Sequence, residues 1–278
     1  MVLSRKTAAA GYTNYFEHAR KRVTIGRENL SRVPAHGKRD TGKGLCNIQA
    51  RDGGFGRKQI DMSRIAPQLS KERMQVEDFS VYVQDFLFEE TPVSAIKSCA
   101  ERIDGADFRR MEIRNCIFEN STFHNCGFEN AGFIDVVFQS CDFSASKFTG
   151  AYFERCRFVS CKCIGVDMSD TVLKQTSLEQ SKFPYSYFDK TKMTDVLFDH
   201  VDFSESSMTQ AKLKRFEAND SRFVKNNFFQ TMLSDVDFTR NEFAAPAVSM
   251  PPVELKGAVI NVFQAADLVR QWGILVNP

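Results

Sequence analysis

The chain has 278 residues, a formal net charge of +2 and 26% charged residues, with only 15 Gly and 8 Pro. This excludes collagen-like, polyelectrolyte and broadly disordered classes and leaves one large or two small domains. No run of apolar residues reaches the ~20 that a membrane helix needs, and the N-terminus lacks the apolar core of a signal peptide, so a cytoplasmic location is expected. One excess stands out: 26 Phe against 6 Tyr and a single Trp.

Residues 1–75 carry 16 bases and six acids, a net +10, with no sustained apolar period. They are expected to be a disordered basic arm. Such an arm suits nucleic acid, a membrane surface or an export signal, and no specific motif chooses among these. Residues 76–105 carry net −5 and are expected to form an N-terminal cap. Within it, 78–88 alternates like a strand. Thr91 can then cap a helix with Pro92 in its first turn and with Val93, Ile96, Ala100 and Ile103 on one face before Gly105.

From residue 106 to 243 the sequence repeats every five residues. Of the 28 positions reached from Phe108 in steps of five, 18 are Phe, where chance placement would give about 3. Two residues earlier lies a column of small side chains, including Ala106, Cys116, Ser121, Cys126, Ala131, Cys141 and Ser146. Period five is neither helical nor that of a strand. A short extended segment followed by a turn does satisfy it, with the large and the small residue of each five sharing the inward side.

The units CIFEN at 116–120, STFHN at 121–125, CGFEN at 126–130 and CDFSA at 141–145 resemble those of the pentapeptide-repeat proteins. The resemblance implies an all-β fold, a right-handed quadrilateral parallel β-helix with four units per 20-residue coil and short capping helices at each end. Twenty-eight units make about seven coils, a rod of roughly 34 Å at the ~4.8 Å strand spacing. Positions 20 apart then stack. Cys163 is a gap in a Phe ladder, and Phe216 beside Ala218 exchanges the large and small positions at constant volume.

Summed by face, the outward charges are five acids and four bases beside Phe108, five acids and seven bases beside Ile113 and four of each beside Phe123, and the face beside Phe118 stands out. There Glu119, Glu179, Asp199, Glu217, Asp220 and Asp237 face Arg157 and Arg240, a net −4, with Ile117, Val137, Val159 and Leu197 between them. This stripe is either a partner-binding surface or a solvated face with a chance bias.

In residues 244–278 Asn261 is a credible N-cap for a helix over 262–272, with Val262, Phe263, Ala266, Val269 and Trp272 at helical spacing and Gly273 after its end. The ending resembles that of the Qnr-type branch of the same family, which implies a capping helix and tail that join two rods into a homodimer. Phe263, Leu268, Trp272 and Ile274 are the residues this would use.

Enzyme chemistry is not expected. The cysteines fall on inward columns as fillers, and Cys141 stacked on Cys161 points the same way rather than toward it. His124 points outward and Cys126 inward, and His200 has no obvious companion. GGFGRK at 53–58 is not a phosphate loop, no nucleophile elbow occurs, and no cofactor, metal or small-molecule substrate is expected. Three readings stay open: a non-enzymatic module presenting a rigid face to a protein partner; a DNA-mimicking binder of DNA gyrase or topoisomerase IV that protects against quinolones, as the Qnr-type resemblance implies; and a secreted bacterial effector with the arm as export signal.

Overall fold

The five-residue period builds a parallel β-solenoid of about nine turns in the computed structural model, which describes residues 65–277. All of these lie in one compact unit, Gly56–Pro278. Residues 1–64 of the expected basic arm lie outside the described residues.

Each five ends in a corner residue with left-handed backbone. Asn115, Asn120, Asn125 and Asn130 have φ of 54°, 50°, 53° and 59°, and the series recurs along the rod, giving four corners per coil. Asn and Asp tolerate this conformation better than other non-glycine residues, which explains the N that closes so many units. Between corners the chain is extended, and coils pair in parallel at an offset of 20. The long strands β5 (Glu112–Glu119), β7 (Gly132–Gln139), β10 (Val172–Glu179), β11 (Lys192–Asp199) and β12 (Lys212–Asn219) carry the main sheet. The short β8 (Tyr152–Glu154) and β9 (Arg157–Val159) bridge β7 to β10.

The core is a column of rings. Phe128 lies 4.7 Å from Phe148 at 4°, and Phe133 lies 4.7 Å from Phe153 at 7°, so rings one coil apart stack face to face. Rings within a coil meet edge-on, as Phe138 and Phe143 do at 5.1 Å and 88°. The edge-on contacts suit the ring quadrupole, and the stacked ones continue the column from coil to coil. The Phe216 and Ala218 exchange is present: both are buried, and Phe216 packs edge-on against Phe198 at 5.0 Å.

The small column does more than fill space. The side chains of Ser146, Ser206 and Thr231 donate to the carbonyls of Phe123, Phe183 and Met208, each 23 residues earlier, at 2.6, 2.6 and 2.5 Å. Cys116, Cys126, Cys141, Cys156 and Cys161 repeat the contact with sulfur. Asn226 and Asn241, which break the size rule, reach the carbonyls of Phe203 and Ala218 in the same way. The column thus satisfies carbonyls that the turning chain leaves without a strand partner. The cysteines are unbridged among the described residues, and burial pushes the Cys116 thiol up to about 11 and that of Cys156 to about 12, so both remain protonated donors.

The N-terminal end corrects the sequence reading. Residues 78–88 are not a strand: Asp78 accepts from Val81 N at 3.0 Å and caps a short helix α1 (Phe79–Tyr82), followed by α2 (Gln84–Glu89). Residues 91–105 are not a helix but strands β2 (Val93–Ser94), β3 (Ile96–Cys99) and β4 (Arg102–Asp104). Val93, Ile96 and Ile103 mimic helical spacing because both inward columns of a five-residue period contribute to it. Here Ser98 and Glu101 hold inward places and hide the pattern. The coil therefore starts at β1 (Met74–Val76), paired to β3, and the rod has about nine turns rather than seven, roughly 43 Å at ~4.8 Å per turn.

A buried glutamate organises each end, and at the N-terminal end it holds a buried aromatic plug. Phe79 sits on the first rings, 5.0 Å from Phe118 and 5.7 Å from Phe108, and its N–H donates to Glu101 at 3.0 Å. At the other end Glu254 accepts from Gln230 N (2.9 Å), Ser249 N (3.1 Å) and Ser249 Oγ (2.7 Å). Burial opposes its charge, yet these donors hold its carboxyl below the ordinary 4.5. Its stabilisation is therefore complete above about pH 4.5 and is lost as pH falls through the lower folded value. Acid titration of the unfolding midpoint should show a loss below pH 4.5 that is smaller in Glu254→Gln; an identical acid limb in the variant would remove Glu254 from the account.

Helix α3 (Val262–Gln271) forms as expected, with a capping box between Asn261 and Gln264 and Gly273 at φ 79°. Its inward face differs from the expected one. Gln264 and Leu268 are buried and Phe263 is 80% exposed, because Gln264 Nε2 turns in to donate to the carbonyls of Phe238 (2.8 Å) and Asn241 (2.7 Å).

Candidate partner-binding face

The face beside Phe118 is a flat parallel sheet, and register places every side chain on it. One outward column runs Lys97, Ile117, Val137, Arg157, Ser177, Leu197, Glu217, and a second runs Cys99, Glu119, Gln139, Val159, Glu179, Asp199, Asn219. Asp220 is the corner residue and Asp237 follows Glu217 one coil on. The structure thus brings all six predicted acids onto one side, in two columns and a corner.

Their surroundings are less acidic than the sequence tally. The earlier start of the coil adds Lys97, which pairs with Glu119 at 2.9 Å. Arg157 grips Glu179 through two bonds, 3.0 and 2.6 Å, and Ser177 donates to the same carboxylate at 2.6 Å. Burial raises the Glu179 carboxyl, but these donors outweigh it and hold it below its usual range. Arg240 pairs with Asp220 at 2.5 Å, and Asp237 accepts from Thr239 N and Oγ1 at 2.9 and 2.7 Å. Half-buried Ile117, Val137 and Val159 make the N-terminal part apolar, whereas Leu197 is buried and adds little surface.

His200 does have companions: Asp199 at 3.1 Å and Asp220, whose ligand atoms lie within 4.8 Å of one another and of the imidazole. Sequence reasoning missed them because Asp220 approaches only through the 20-residue stack. Arg240 occupies Asp220, so the group is an ion-pair network. His124 likewise meets Asp104, at 3.1 Å, one coil away.

Of the four residues assigned to dimerisation, Phe263 and Ile274 are 80% and 52% exposed and Trp272 is half-buried, but Leu268 is packed into the protein's own core and is not available to a partner. Leu275, which the sequence reading passed over, is 94% exposed beside them. None of the helices among the described residues is long and apolar enough to cross a membrane.

A four-cornered coil of five-residue units with a phenylalanine core is the architecture of a pentapeptide-repeat region. Residues 131–199 match the family model described as Pentapeptide repeat region. Among solved structures, a trypsin-treated variant of QnrB1, a plasmid-mediated fluoroquinolone resistance protein, is similar at 16% identity and a TM-score of 0.43, covering 64% of this chain and 99% of that one. HetL, a pentapeptide-repeat protein involved in heterocyst differentiation regulation from the cyanobacterium Nostoc sp. strain PCC 7120, is similar at 12% identity and a TM-score of 0.37, covering 68% and 87%. No curated protein matches the chain.

Proposed function

We propose that this protein is a non-enzymatic, cytoplasmic docking module whose rigid rod binds a protein partner through the face beside Phe118. The observation that carries this reading is the in-register stacking of Glu179 on Asp199, with Glu217 in the neighbouring column. A fixed sheet face that aligns acids in register beside apolar residues favours a ligand of complementary charge and apolar surface. The partner chemistry is a basic surface with an apolar portion to meet Ile117, Val137 and Val159. Exposed Phe263, Ile274 and Leu275, with Trp272, favour a homodimer through the C-terminal end, measurable as a mass that halves in Phe263→Asp/Leu275→Asp.

The second reading is binding to a type II topoisomerase in place of DNA, favoured by the acidic columns running along a rod. Its charge is tempered by Lys97 and Arg157. Both readings share a test. The full chain used as bait should capture a partner that Asp199→Lys/Glu217→Lys no longer captures, and unchanged capture by the variant would sink the proposed face. Purified gyrase supercoiling should respond to the unmutated chain only under the second reading.

A further inference from the structure

The neighbouring face, beside Ile113, carries a second and opposite anomaly. Over most of the rod, charges one coil apart are neutralised in pairs. Arg155 pairs with Asp135 (2.7 Å), Lys174 with Glu154 (2.8 Å), and Arg215 with Asp195 (2.6 Å). Within β11 and β12 the rule holds at that corner but fails at the other end of the strands. Lys192 stacks in register on Lys212, Lys214 lies two residues along the same strand, and Lys190 stands at the adjoining corner with φ 57°. All four are exposed, and none makes an ion pair among the described residues. Two acids of these coils are engaged elsewhere, Asp195 by Arg215, and Asp189 by Ser207 Oγ at 2.5 Å and Thr209 N at 2.8 Å, while exposed Asp170 stands one coil before Lys190 and makes no ion pair with it among the described residues.

Two further features narrow the partner. At the N-terminal end of this face the chain covers its own corner: Gln68 N donates to Asp135 at 2.7 Å and Ser70 N to Asn115 at 2.8 Å. No such cover lies over β11 and β12 among the described residues. Across the Lys190 corner the preceding face presents two exposed aromatic rings, Tyr187 at 52% and Phe229 at 45%. Tyr187 and Lys192 are five residues apart, at most about 18 Å of chain. Unpaired cations on one side of an edge and exposed rings on the other are the two elements of a single-strand nucleic-acid platform, the cations tracking phosphates and the rings stacking on bases. A duplex keeps its bases stacked and offers nothing to the rings.

We propose that Lys190, Lys192, Lys212 and Lys214, with Tyr187 and Phe229 across the corner, form a docking edge for single-stranded nucleic acid. The test is fluorescence anisotropy of a labelled oligothymidine with the full-length chain over a range of salt concentrations. Phosphate contacts made by the basic N-terminal residues are common to all variants, so differences between variants report the edge. Lys192→Gln/Lys212→Gln should reduce the slope of log K against log salt by about 1.4 and weaken binding about 25-fold at roughly 0.1 M salt, from ~0.7 per phosphate contact. Phe229→Ala should weaken binding about tenfold with the slope unchanged. Both lysines are exposed and repel each other, so circular dichroism should show an intact fold in the double variant.

An unchanged slope in the double variant overturns the proposal, as does absence of oligothymidine binding by the unmutated chain. Full binding by Phe229→Ala overturns the single-strand assignment. Binding of polyglutamate through the same two lysines, without binding of oligothymidine, assigns the face to an acidic polypeptide and equally overturns it. The result is independent of the acidic face, which Asp199→Lys/Glu217→Lys probes separately.

Discussion

Phe203→Asp is expected to abolish the cooperative fold. Phe203 is fully buried, with Phe188 at 5.1 Å, Phe198 at 5.6 Å and Phe223 at 5.9 Å. Removing the ring costs about 3–5 kcal/mol, and an unpaired carboxylate in its place adds several more. Against a total stability of roughly 5–15 kcal/mol, that leaves no folded population to speak of. The variant should be insoluble or lack the β-sheet circular dichroism signal. Phe229→Asp, placed on an exposed ring in the next coil, should remain folded. A soluble, β-rich Phe203→Asp protein would mean that the inward column has been misassigned.

Phe79→Ala is expected to cost about as much, about 3–5 kcal/mol, but to act on one end only. Phe79 covers the first rings of the stack, and its amide is held by Glu101. In a solenoid each coil touches only its neighbours, so losing a cap weakens the terminal coils before the distant ones. Hydrogen exchange should accelerate in β1, β3 and the start of β5 while β10 to β12 keep their protection. Uniform acceleration along the rod, or none at all, would show that Phe79 is not the closing element.

The interior was readable because its rule is local and strictly periodic. Five residues per side, a large and a small one inward, recur in phase from Phe108 to Phe243, and the exception at Phe216 is balanced in volume by Ala218. The ends were misread for a related reason. A cap is met once, so no period averages out coincidence: Phe79, Val81 and Val83 alternate like a strand although Asp78 starts a helix there. In residues 93–103 the rule continues with Ser98 and Glu101 inside, and the remaining apolar residues fall at helical intervals. The polar role of the small column was also invisible in composition. Ser, Cys, Thr and Asn share no size rule, but all can donate to a carbonyl 23 residues earlier.

For the surface, the sequence alone determined which residues point outward and which face each belongs to, since a 20-residue coil assigns both by arithmetic. Only the tertiary structure decided which charges remain uncompensated. Pairing depends on atoms one coil apart: Arg157 reaches Glu179, Arg240 reaches Asp220, and Lys97 enters the acidic face only because the rod begins earlier than its Phe residues do. The same distances leave Lys192 and Lys212 stacked without a counter-ion among the described residues, and leave Leu268 inside the rod rather than on its surface. Periodicity sets direction, whereas neutralisation and burial at the ends depend on contacts that sequence separation does not encode.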